Sequence, residues 1–201
     1  IKGTSLHTGK LVKMTLLPAE INTGIVFCRT DLYGKPEIRP NPNAVGDLVR
    51  CTTLQNQECK IHTVEHILSA INGLGIDNIR IELDGEEPPI IDGSAKFFTT
   101  LLLEAEIVEQ DADVEFLTLP EAISVTDGNR SMIALPYDGL KITCTYADNH
   151  GNTQHLSVEL SPEKYLSTIL AYLENEVFEY SILNLLTTNA IPEECDLIAI
   201  M

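Results

Sequence analysis

The stretch Ile61-His62-Thr63-Val64-Glu65-His66-Ile67-Leu68-Ser69-Ala70-Ile71-Asn72-Gly73 decides how the first half of this chain is read. At about 100° per residue, Val64, Ile67, Leu68 and Ile71 fall on one stripe. That spacing predicts a helix over Ile61–Asn72 with the stripe on the core and Gly73 as its stop. His62, Glu65, His66 and Ser69 fall on the opposite side. Two imidazoles at i and i+4 on one helix face can share a metal ion, and a carboxylate beside them can activate a metal-bound water. The pattern is H-x-x-E-H. For these five residues taken alone, an ordinary solvated helix face is the simpler reading.

Working outward, Val12–Leu17 and Gly24–Thr30 read as strands separated by a turn at Asn22-Thr23-Gly24. Asn78–Leu83 alternates as a strand ended by Asp84-Gly85, and Ala95–Ala105 is an apolar helix. Glu104–Pro120 carries six carboxylates in its first twelve residues and ends in proline, as a linker would. Beyond it, Ala122–Thr126 and Ser131–Leu135 flank Asp127-Gly128-Asn129, a hairpin signal. Leu140–Tyr146 and His155–Leu160 read as further strands, and Ser161-Pro162 opens helical sequence. Spacing around Ile182–Leu186 suggests another helix, and Leu197–Met201 a last strand. The expected fold class is therefore α+β in two similar domains, residues 1–107 and 121–201, joined by an acidic linker at 108–120.

Of the 201 residues, 44% are hydrophobic, enough to build a core, and no low-complexity tract suggests disorder. The net charge of −17 is uneven. Residues 1–100 carry 10 basic and 12 acidic side chains, net −2, whereas residues 101–201 carry 3 and 18, net −15. Nucleic acid and anionic membranes need a basic footprint, so neither is an expected partner. Five scattered cysteines without a C-x-x-C pair suit a reducing cytoplasm better than a disulfide framework. No apolar run is long enough for a transmembrane segment. The chain starts at Ile1 and stops inside an apolar stretch, so these ends need not be the natural ones.

The residues around H-x-x-E-H add more. Gly3-Thr4-Ser5-Leu6-His7-Thr8-Gly9, Asn22–Asp31, Val49-Arg50-Cys51-Thr52-Thr53, Thr63–His66, Gly73–Asn78 and Pro89–Ser94 occur in an order that resembles the bacterial UDP-3-O-acyl-N-acetylglucosamine deacetylases of lipid A biosynthesis. The second half matches more loosely through Asp127–Pro136 and Leu140–Thr145. The resemblance implies two domains, each a β-sheet layered with two helices, and an active-site cleft between them. It implies a zinc cofactor held by two histidines and an aspartate, with a glutamate as general base. Carried over, Glu65 is the base and His66 a zinc ligand. His7, Cys51 and Thr52 line the substrate side. The implied reaction is hydrolysis of the N-acetyl group of a UDP-linked acylated glucosamine. An unrelated H-x-x-E-H metalloprotease would explain none of the flanking matches.

The expected match to the family's late ligand helix is Tyr180–Thr188, and its chemical positions differ. Tyr180 stands at the second zinc histidine, Asn184 at the aspartate and Ser181 at a lysine. Phenol and amide are weaker zinc ligands than imidazole and carboxylate. His62 is a candidate second histidine, and Tyr180 and Asn184 are expected to face His66. Two readings stay open: a zinc deacetylase, or a relative without catalysis that binds a sugar nucleotide, an acyl chain or a partner protein.

Overall fold

Ile79, Ile81 and Leu83 alternate with Arg80 and Glu82, and in an extended chain such spacing sends apolar and charged side chains to opposite faces. The computed structural model describes residues 1–147, 153–169 and 198–200, and it places that segment at the centre of a five-stranded sheet. Two compact units divide between Ala112 and Asp113.

Along the first unit run β1 (Lys2–Thr4), β2 (Leu11–Pro18), β3 (Ile25–Arg29), β4 (Glu37–Ile38), β5 (Leu54–Gln55), β6 (Lys60–Ile61), α1 (Glu65–Gly73), β7 (Ile79–Leu83) and α2 (Lys96–Glu104). The sheet order is β1-β2-β7-β3-β4, with β3 and β7 parallel and the remaining pairs antiparallel. A parallel pair needs a crossover, and α1 lies within the one that joins β3 to β7. The core is formed by Val12 and Met14 of β2, Val26 and Phe27 of β3, and Ile79, Ile81 and Leu83 of β7. Ile67 and Ile71 of α1 and Phe98 and Leu102 of α2 complete it, and the two helices lie side by side. On the other face of β7, Arg80 pairs with Glu82 at 3.2 Å and with Glu37 at 2.5 Å. Gly85 allows the turn after β7 to approach β2, because a Cβ there would meet Val12 Cγ2 at 2.6 Å.

The helix expected over Ile61–Asn72 begins four residues later, at Glu65. Its first expected residues are taken by other structure. Lys60 and Ile61 pair with Gln55 and Leu54, His62 N–H donates to the Glu86 carbonyl at 2.8 Å, and Thr63 turns left-handed at φ 53°. The solvated face expected opposite the core stripe is also absent, since every residue from Glu65 to Ile71 is buried. Elsewhere in this unit the expected strands and helices agree with those observed to within one or two residues.

After α2 no helix or strand forms before Ile123. The first unit extends to Ala112, past the expected start of the linker, because Gln110 is tied back to it. Gln110 accepts from Asn78 Nδ2 at 2.8 Å and donates to the Ala19 carbonyl at 2.9 Å.

In the second unit β8 (Ile123–Asp127) and β9 (Arg130–Ala134) form the expected hairpin around Gly128, which has φ 60°. β10 (Leu140–Ala147) pairs with β11 (Thr153–Leu160), and β12 (Ile198–Ile200) lies between β9 and β10 in the order β11-β10-β12-β9-β8. Ser161 caps α3 (Pro162–Lys164), its Oγ accepting from Lys164 N at 3.2 Å. Ile142, Cys144, Val158 and Tyr165 are buried here. The helix expected around Ile182–Leu186 lies outside the described residues. The class is mixed α and β, and among the described residues no helix is long and apolar enough to cross a membrane.

Ile81 is fully buried at the middle of the central strand. Ile81→Ala is expected to cost about 2–5 kcal/mol, read as a lower midpoint in urea denaturation.

Candidate active site

The left-handed turn at Thr63 ends the chain's extended course and starts α1 with Glu65 in its first turn. A carboxylate there interacts favourably with the helix N-terminus. Glu65 is 1% exposed, and its Oε2 accepts from Thr52 N–H at 3.0 Å. Thr52 is held opposite in turn, since its carbonyl accepts from Val64 N–H at 3.3 Å. Glu65 Oε1 is buried with no hydrogen-bond partner among the described residues. Burial pushes the Glu65 carboxyl above its ordinary pKa, against the opposing effects of His66 and of the N–H donors. His66 is the next residue and is buried beside it.

The sequence placed His62 on the same helix face as His66, and the structure does not. His62 precedes the helix, so the i, i+4 relation fails. Its Nδ1 lies 2.9 Å from Thr53 Oγ1. Cys51 Sγ lies 3.7 Å from the same hydroxyl, giving a Cys51–Thr53–His62 chain along one side of the site. Burial, reinforced by Lys60, lowers the pKa of His62 and favours its neutral form. Cys51 is a half-buried free thiol.

His7 is exposed in the loop after β1, and that loop is fixed by a residue the sequence reading missed. Glu87 is wholly buried. It accepts from His7 N–H at 3.1 Å, from Thr8 N–H at 2.9 Å and from Thr63 Oγ1 at 2.8 Å. Burial by itself would raise its pKa, but these donors outweigh it and hold the carboxyl below the ordinary glutamate value. The available signal was a glutamate placed directly before Pro88-Pro89-Ile90-Ile91, a proline and apolar run.

Glu65, His66 and Thr52 are thus brought together, with Cys51 and Thr53 next to them. Tyr180 and Asn184 lie outside the described residues. Among the described residues no group of three His, Cys, Asp or Glu side chains could hold a metal. A catalytic zinc takes three protein ligands, and of these residues His66 offers an imidazole and Glu65 Oε1 an unsatisfied carboxylate oxygen.

With that geometry in view, the family model for UDP-3-O-acyl N-acetylglycosamine deacetylase matches residues 1–172. The chain belongs to this family. It is 43% identical over 174 residues to the UDP-3-O-acyl-N-acetylglucosamine deacetylase of Mannheimia succiniciproducens, a match covering 84% of this chain and 57% of that protein. The enzyme of the same name from Hahella chejuensis is 41% identical over 171 residues, covering 83% and 57%. That from Pasteurella multocida is 44% identical over 151 residues, covering 75% and 50%. The chain therefore spans a little over half the length of the curated deacetylases it matches. The family match contains Glu65, His66 and Glu87, and it ends before Tyr180 and Asn184.

A carboxyl whose pKa is lowered on folding stabilises the protein above its unfolded value of about 4.3, and that contribution is lost as pH falls through the folded pKa. For Glu87, urea midpoints measured between about pH 6 and about pH 3 should fall on acidification, and Glu87→Gln should show a shallower acid slope.

Proposed function

We propose that this chain acts in the hydrolysis of the N-acetyl group of a UDP-linked, 3-O-acylated N-acetylglucosamine, with Glu65 as general base and His66 as a zinc ligand. The observation that carries the reading is the Glu65 carboxylate, buried at the start of α1 with one oxygen fixed by Thr52 N–H and the other unsatisfied. Such a group is oriented and desolvated, and its raised proton affinity suits the removal of a proton from an attacking water. When bound, zinc supplies Lewis-acid polarisation of the amide carbonyl and makes water a better nucleophile.

Holding Glu65 Oε2 on the Thr52 backbone leaves Oε1 as the proton acceptor. Cys51, Thr52 and His7 take the substrate side of the site. His62 is turned to Thr53, so we assign it no ligand role. Tyr180 and Asn184 are proposed ligand positions on the family resemblance alone. The setting we propose is cytoplasmic.

The test is release of acetate from UDP-3-O-acyl-N-acetylglucosamine by the purified chain, with its zinc content measured in parallel. Glu65→Gln is expected to lower turnover about 10²–10⁴-fold with zinc content unchanged. His66→Ala is expected to lose both zinc and turnover. Wild-type rates in Glu65→Gln would refute the base assignment. Zinc-loaded chain that binds the sugar nucleotide without releasing acetate would select the non-catalytic relative instead.

A further inference from the structure

Glu87 joins two parts of the chain far apart in sequence. One is the loop Ser5–Gly9, whose His7 and Thr8 amides donate to its carboxylate and whose Ser5 Oγ donates to its backbone carbonyl at 3.3 Å. The other is Thr63, whose hydroxyl donates to Oε1. Thr63 is a β-branched residue at φ 53°, a conformation that persists only when its surroundings enforce it. Two residues later the chain reaches Glu65, so the torsions at Thr63 set the direction in which α1 and its first-turn carboxylate enter the site. The arrangement is asymmetric. His7 N–H reaches both carboxylate oxygens, Thr8 N–H takes Oε2 and Thr63 takes Oε1.

We propose that Glu87 is a positioning residue that locks the His7 loop to the entry of α1, so that the substrate-side loop and the Glu65 carboxylate move as one unit. Glu87 touches neither substrate nor reacting atoms in this scheme. It acts through Thr63 on one side and through the loop amides on the other. A carboxylate that merely satisfied buried loop amides would have no reason to hold a strained threonine on a different segment.

The inference rests on the deacetylase reading for its kinetic arm alone. The first experiment needs no substrate: amide hydrogen exchange in the ligand-free 201-residue chain and in Thr63→Val, which keeps the β-branched shape and removes the hydroxyl. If the lock exists, the His7 and Thr8 amides should exchange at least about tenfold faster in Thr63→Val, although their own acceptor is intact. Unchanged exchange at His7 and Thr8 overturns the proposal.

The second experiment follows acetate release by Glu87→Gln and Glu87→Asp, with rates taken per folded molecule. Glu87→Gln should lower kcat by roughly 10–100-fold, the scale of a small misplacement of a reacting group, and the charge-retaining Glu87→Asp should recover part of that loss. A variant that melts earlier but keeps wild-type kcat and KM shows a structural role only and also overturns it. Should the wild-type chain release no acetate, the deacetylase reading falls and the exchange measurement still decides the lock. Should Glu87→Gln fail to fold, Thr63→Val carries both measurements.

Discussion

Two carboxylates buried on either side of Thr63 set the terms for the first unit. Removing an ionised carboxyl from water is costly unless donors replace the lost solvation. Here the donors are backbone amides from distant segments: Thr52 for Glu65, and His7 with Thr8 for Glu87. Each such amide must be delivered to a particular place, and the sheet does the delivering. β1 pairs with β2 through Thr4↔Leu11, and β2 pairs with β7 through Met14↔Leu83. That register brings the residues just after β1 beside those just after β7. A further bond, Ile90 N–H to the Thr4 carbonyl at 3.0 Å, fastens the same junction.

The two carboxylates differ in a way that follows from their donors. Glu65 has one oxygen answered by an amide and one unanswered, and burial wins, raising its proton affinity. Glu87 receives two amides and a hydroxyl, and the donors win, keeping it ionised. Neighbouring groups of the same chemical type whose environments drive them apart can divide the work of a site. The under-bonded group is the one able to take a proton, and the fully bonded one is suited to holding structure.

Much of the fold could be read from alternation and turn residues. β2, β3 and β7 lie where apolar spacing put them, and the hairpin at Gly128 follows its Asp-Gly-Asn sequence. The start of α1 could not be read this way. Helical periodicity runs unbroken through His62 and Thr63, and it is tertiary hydrogen bonding by His62 N–H and Thr63 Oγ1 that turns the chain there. The same limit applies to burial. A stripe opposite the apolar one reads as solvated, yet Glu65, His66 and Ser69 are covered by neighbouring segments that no local pattern reveals. Glu87 escaped notice because its importance lies in three donors from residues 7, 8 and 63. Segments that carry the family resemblance, Gly3–Gly9, Val49–Thr53 and Thr63–His66, also contain His7, Thr8, Thr52, Thr63 and Glu65, which make these bonds.

The charge imbalance takes on meaning beside the extent of the family match. The near-neutral half holds Glu65, His66, Glu87 and the loops they anchor, and all of it lies inside the matched residues 1–172. The half at −15 includes the segment past the match, with Tyr180 and Asn184. Among the described residues His62 is turned to Thr53, and no group of three ligating side chains forms around His66. Three basic side chains against eighteen acidic ones in the half at −15 offer a nucleotide diphosphate few of the lysine or arginine donors its charge calls for.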